Sequence, residues 1–130
     1  MEKCHPDLIR LVEHVIVRAR HDFSVREQSV RTIQDQANFV AQGWSTTMNS
    51  RHVPENNACG LSCAVDVAVY DNNGSITNKE YYYKRVAQDF ITSAIKLGIP
   101  INCGALFGSF FDGGHFEIPY NVEPSVYHKR

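Results

Sequence analysis

From Ala64 to Tyr70 the chain reads Ala-Val-Asp-Val-Ala-Val-Tyr, so Val65, Val67 and Val69 alternate with Ala64, Asp66 and Ala68. A period of two marks extended backbone, whose successive side chains leave opposite faces. The valines make one face apolar enough to lie on a core, and the carboxylate of Asp66 points away from it. Loop and turn signals bracket the segment, with Pro54, Asn56, Asn57 and Gly60 before it and Asp71-Asn72-Asn73-Gly74 after it.

Helical periodicity supplies the cover for such a strand. Pro6 stands where a first helical turn tolerates it, and Leu8, Leu11, Val12, Val15, Ile16 and Ala19 recur at steps of three and four. Phe23-Ser24-Val25 alternates and predicts a short strand. Thr32 with Asp35 has the spacing of a capping box, and Gly43 is a natural terminator, which predicts a helix over 33–42 with Ile33, Ala37, Val40 and Ala41 on one face. A third helix is predicted over 78–97, with Tyr82, Val86, Phe90, Ile91, Ala94 and Ile95 inward, stopped by Gly98 and Pro100. Ile99 to Cys103 and His115 to Pro119 read as strands, with a glycine-rich loop over 104–114 between them and a peripheral tail from Asn121. The sum is an α+β fold: a small antiparallel sheet with about three helices packed against it.

The 130 residues fit one domain, spanning 1–130. A net charge of −1 gives no basic footprint for a phosphate backbone, so nucleic acid is not an expected partner. No apolar run reaches the roughly 18 residues of a membrane span, and Glu2, His5, Asp7 and Arg10 near the start do not make a signal peptide. A chain made in the cytoplasm without membrane insertion is expected. Cys4, Cys59, Cys63 and Cys103 lack the spacing of a disulfide framework, although Cys59 and Cys63 could pair in an oxidising compartment.

Chemistry concentrates late in the chain, where Asp112-Gly113-Gly114-His115-Phe116-Glu117 places a carboxylate, two glycines and an imidazole ahead of a strand. Ser50-Arg51-His52 and Asp66 supply a second imidazole and a second carboxylate. Catalytic zinc takes three protein ligands and keeps a fourth position for water, and His52, Asp66 and His115 make that count at one face of the sheet. Asp112 is then the separate proton acceptor, since Gly113-Gly114 lets the backbone bend toward the metal. Each element is common alone: Asp-Gly-Gly is an ordinary turn, and most strand histidines bind nothing. A structural zinc clip of His52, Cys59 and Cys63 is a competing arrangement that lacks a fourth ligand. Tyr81-Tyr82-Tyr83 could stack on sugar, but on a helix at least one of them faces the core.

In combination, Val25 to Thr32, Asn49-Ser50-Arg51-His52, Ala64-Val65-Asp66 and Asp112-Gly113-Gly114-His115-Phe116-Glu117 resemble the VanY-type zinc peptidases of peptidoglycan. The resemblance is nearest to the single-domain phage endolysins that act as L-alanyl-D-glutamate endopeptidases; His5-Pro6-Asp7-Leu8 and the segment 36–43 fit that group too. It implies His52, Asp66 and His115 as Zn2+ ligands, Asp112 as general base, and Arg31 and Ser50 as substrate-binding residues, with Arg31 also holding the developing oxyanion. It further implies a monomer acting on stem peptides in the periplasm, dependent on a separate pore-forming protein to reach the wall. A D-alanyl-D-alanine carboxypeptidase of the same type and an inactive wall-binding zinc domain are the alternatives.

The chain departs from the family pattern in three places. Thirteen residues separate His52 from Asp66, so 55–62 reads as an insertion; Gln28 stands where a glycine is common; and Cys103-Gly104-Ala105-Leu106-Phe107 replaces a segment containing tryptophan and aspartate.

Overall fold

The computed structural model describes residues 3–26, 29–45, 48, 50–57, 59–104 and 113–119. Its elements run α1 (Pro6–Ile16), β1 (Phe23–Val25), α2 (Ile33–Ala41), β2 (Ala64–Val69), α3 (Glu80–Leu97), β3 (Asn102–Cys103) and β4 (His115–Glu117), with a 3-10 turn at Pro54–Asn56. The strands form one antiparallel sheet in the order β1-β2-β4-β3, giving the α+β architecture expected from the sequence. No described helix is long and apolar enough to cross a membrane.

The valine strand is central, as its pattern requires. Val65, Val67 and Val69 are buried in a core shared with Leu8, Leu11, Val12 and Val15 of α1 and with Val86, Phe90 and Ala94 of α3. The Phe90 ring stacks on Phe116 of β4 at a centroid distance of 3.8 Å and also meets Phe23 of β1 at 5.5 Å. Removing a buried phenylalanine costs about 3–5 kcal/mol, so this aromatic column ties two strands, β1 and β4, to α3.

Two helix faces differ from the sequence expectation. In α3 the buried positions are Tyr83, Val86, Ala87, Phe90, Ser93 and Ala94, while Ile95 is 77% exposed. The inward stripe is thus rotated by about one residue from the apolar one, because small Ala87 and Ser93 permit close packing against α1 and the sheet. Tyr83 faces the core and Tyr81 faces solvent, so the tyrosine run is split across the helix rather than forming a platform.

The second difference lies in α2, where the capping box of Thr32 and Asp35 is present but Ile33 is 55% exposed and the only buried residue is Gln36. Polar contacts hold α2: Gln36 accepts from Arg31 at 3.2 Å and donates to the Ser45 hydroxyl at 2.8 Å. Its C-terminus closes in a Schellman motif. Gly43, at φ +78°, donates to Val40 O, and Trp44 donates to Phe39 O at 2.8 Å.

Gly114 is required for another reason, the close approach of backbone to backbone. Its carbonyl accepts the Val67 amide at 2.8 Å, and a Cβ added there would collide with the Val67 carbonyl oxygen. Gly114→Ala is expected to destabilise the fold by about 1–3 kcal/mol in denaturant melts, through overpacking against an unyielding strand.

Cys59 and Cys63 are free thiols with sulfurs 3.6 Å apart, and Cys4 and Cys103 are free and buried. Burial pushes the Cys4, Cys63 and Cys103 thiols up to about 12, which suppresses the reactive thiolate. A maleimide at neutral pH should therefore label half-buried Cys59 first, as peptide mapping would show; equal labelling of all four would contradict the packing.

Candidate metal centre

Sheet register builds half of the centre. β2 and β4 pair antiparallel with Asp66 directly opposite His115 and Val65 opposite Phe116. The alternation that sends Val65 and Phe116 into the core sends Asp66 and His115 out on the other face, where His115 Nδ1 lies 3.2 Å from Asp66 Oδ1.

His52 arrives from the loop before β2, with its Nε2 3.2 Å from Asp66 Oδ2. The thirteen intervening residues do not keep it away, because the loop has its own order. Asn57 is buried and donates to the carbonyls of Arg51, Val53 and Leu61 at 2.9, 3.3 and 2.8 Å. One side chain thus gathers three backbone acceptors, and the inserted segment folds back on the residues flanking His52.

Second partners decide which imidazole nitrogen faces inward. The His52 Nδ1–H donates to the Ser29 carbonyl at 2.8 Å, leaving the Nε2 lone pair toward Asp66. The His115 Nε2–H donates to Glu117 Oε1 at 2.8 Å, leaving Nδ1 toward the same carboxylate. Glu117 is held in turn by Arg51, whose buried guanidinium lies 3.7 Å from Glu117 Oε2 and also donates to Asn57 Oδ1 and to the Ile118 carbonyl. His52, Asp66 and His115 each offer one ligand atom, all within 4.8 Å of one another. Two neutral imidazoles and a carboxylate fit a divalent ion such as zinc, and among the described residues this is the group of histidine, cysteine and acidic side chains that could hold one. The competing clip with Cys59 and Cys63 is not formed: Cys63 lies in the core, and His52 is turned to Asp66.

Burial acts to raise the Asp66 carboxyl pKa, but hydrogen bonds and charge from His115 and His52 outweigh it and hold the group below the usual carboxylate range. Arg31 adds a further bond, donating from Nη2 to Asp66 Oδ2 at 2.9 Å. Its guanidinium also lies over the Phe39 ring at 4.4 Å, and its backbone amide donates to the His52 carbonyl at 3.1 Å. Ser50, singled out with Arg31 in the sequence, accepts the His52 amide on its hydroxyl at 3.2 Å and so holds the turn that carries the imidazole. Asp112 falls outside the described residues.

Sequence reasoning passed over Ser29, whose carbonyl orients His52 and whose hydroxyl accepts the Asp66 amide at 3.0 Å. A backbone acceptor leaves no trace in composition. Arg51 was also passed over; its one signal is an arginine directly before a candidate ligand.

An antiparallel sheet whose register sets histidine against aspartate, joined by a second histidine with a fixed tautomer, is a framework that could hold a hydrolytic metal ion. The chain belongs to the phage L-alanyl-D-glutamate peptidase family, whose sequence model matches residues 1–118. Among solved structures it is similar to the L-Ala D-Glu endopeptidase ChiX of Serratia marcescens, with a TM-score of 0.78 and 28% identity over 92% of this chain and 83% of that one. No curated protein matches it by sequence comparison.

Glu117→Gln keeps the shape but weakens the acceptor that orients His115, and partners of this kind are worth about 10–100-fold in metal affinity. Competition with a chromophoric chelator should show zinc affinity falling by that order while the far-UV circular dichroism of the metal-free protein is unchanged; its melting temperature should fall as well, because the buried Arg51 guanidinium loses its anionic partner.

Proposed function

We propose that the chain is a phage endolysin-type zinc metallopeptidase that hydrolyses the L-alanyl–D-glutamate bond of peptidoglycan stem peptides. The observation that carries this reading is the convergence of His52 Nε2, Asp66 and His115 Nδ1, each imidazole locked by a second partner, in a chain of this family. A zinc ion held by these three residues would polarise the scissile carbonyl and acidify water in its open position.

This chain's own residues do the rest. Asp112, three residues before His115, takes the proton from the attacking water and hands it to the leaving amine. Arg31 presents a fixed positive fork beside Asp66, held from behind by Phe39 and Gln36, and stabilises the developing oxyanion. Ser50 supports catalysis by keeping the His52 turn in place. In this proposal one peptidase domain works as a monomer on the wall from the periplasm, admitted by a separate pore-forming protein.

A digest of purified peptidoglycan read by mass spectrometry tests the reaction. New L-alanine C-termini and D-glutamate N-termini are expected, abolished by a chelator and restored by zinc. Release of a terminal D-alanine instead would make the chain a carboxypeptidase. Asp112→Ala should lower turnover by on the order of 10²–10⁴-fold with bound zinc unchanged, as a proton-transfer role requires; retained turnover would remove Asp112 from the mechanism.

A further inference from the structure

Trp44 is the single tryptophan of the chain and is 71% exposed. Its ring packs against Phe39 at a centroid distance of 5.5 Å. The helix terminus accounts for the contact but not for the exposure. In the Schellman motif that ends α2, Trp44 and Phe39 occupy the two positions whose side chains usually meet, and any modest apolar residue would close that contact. Here the larger part of an indole is left in water, on backbone pinned by the Trp44-to-Phe39 hydrogen bond and by Gly43.

The pair is continuous with the metal centre. Asp66 Oδ2 is 2.9 Å from Arg31 Nη2, the Arg31 guanidinium is 4.4 Å from the Phe39 centroid, and Phe39 leads to Trp44. Three short contacts thus run from a candidate ligand to an exposed aromatic ring. Because Asp66 engages the Arg31 charge, the outer part of this wall is neutral.

We propose that Phe39 and Trp44 form the subsite for the N-acetylmuramoyl sugar that carries the stem peptide. The inference rests on the L-alanyl–D-glutamate specificity proposed above, because that bond fixes where the sugar must be. The amine of L-alanine is acylated by the lactyl group of the sugar, so one residue and one lactyl unit separate the scissile carbonyl from the pyranose. At about 3.3–3.6 Å per extended unit, the ring falls roughly 7–10 Å from the reacting carbon, a span comparable to the Arg31–Phe39–Trp44 series.

Charge separates the two ends of the substrate. Muramic acid has lost its carboxylate to the amide with L-alanine and is neutral, whereas the stem beyond D-glutamate carries free carboxylates. A neutral aromatic wall with an exposed indole suits the apolar face of a pyranose, and its rigid backbone limits the entropy lost on binding.

Two measurements test the subsite. Trp44→Ala should lower kcat/KM about tenfold on a disaccharide-tripeptide while changing it less than about twofold on the same tripeptide without sugar, with Trp44→Phe between wild type and Ala. Equal loss on both substrates, or loss on neither, would overturn the proposal. In the Asp112→Ala protein, Trp44 fluorescence should shift on titration with N-acetylmuramoyl-L-alanyl-D-isoglutamine and not with L-alanyl-D-isoglutamine. A shift with both, or with neither, would again overturn it. If the wild type cuts neither peptide, the endopeptidase reading fails by itself, and the fluorescence titration still decides whether the sugar binds at Trp44.

Discussion

The pairing of Asp66 with His115 at the candidate metal centre depends on the register between β2 and β4, and so does the carboxylate that His52 meets. Side chains alternate along a strand, so a slip of one residue would carry His115 into the core and bring Phe116 out beside Asp66. The Phe90–Phe116 stack opposes that slip from the core side, and the close pass of Gly114 over Val67 opposes it at the strand entrance. The geometry of the polar face is therefore fixed by packing on the apolar face.

The other imidazole depends on a different kind of support. His52 lies on irregular backbone, where precision has to come from hydrogen bonds rather than from a ladder. Ser29, Arg31 and Asn57 supply them, tying the β1–α2 and α2–β2 connections to one another and, through Ser29, to β2. Loop closure cost rises only slowly with length, so the long segment between His52 and Asp66 is tolerable thermodynamically. Its internal hub, Asn57, makes it compatible with function. Arg51 links the two halves, since the residue next to His52 in sequence steadies the glutamate that orients His115.

Elements with strong local signals were legible in the sequence: the Pro6 helix start, the Thr32–Asp35 capping box, the alternation of β2 and the Asp66/His115 pair all stand where the pattern put them. Helix faces were less legible. Apolar periodicity assumes that a helix packs through its apolar side, whereas α2 is held by Gln36 and Arg31 and leaves Ile33 in water. That His52, Asp66 and His115 come together was readable because imidazole and carboxylate are chemically distinctive groups standing on segments with strong local patterns. The supports at Ser29 and Arg51 were not, because a carbonyl oxygen and a buried guanidinium become functional only through a tertiary fold.

Ser29 and Glu117 do the same job by different means, and the difference bears on how such a site can change over generations. The acceptor that orients His52 belongs to the main chain, which every amino acid carries, so no codon change at position 29 can delete it outright. The acceptor that orients His115 is a side chain, open to replacement by weaker or stronger bases. Inherited variation therefore has one dial for the electron richness of this centre, and it sits on the β4 side.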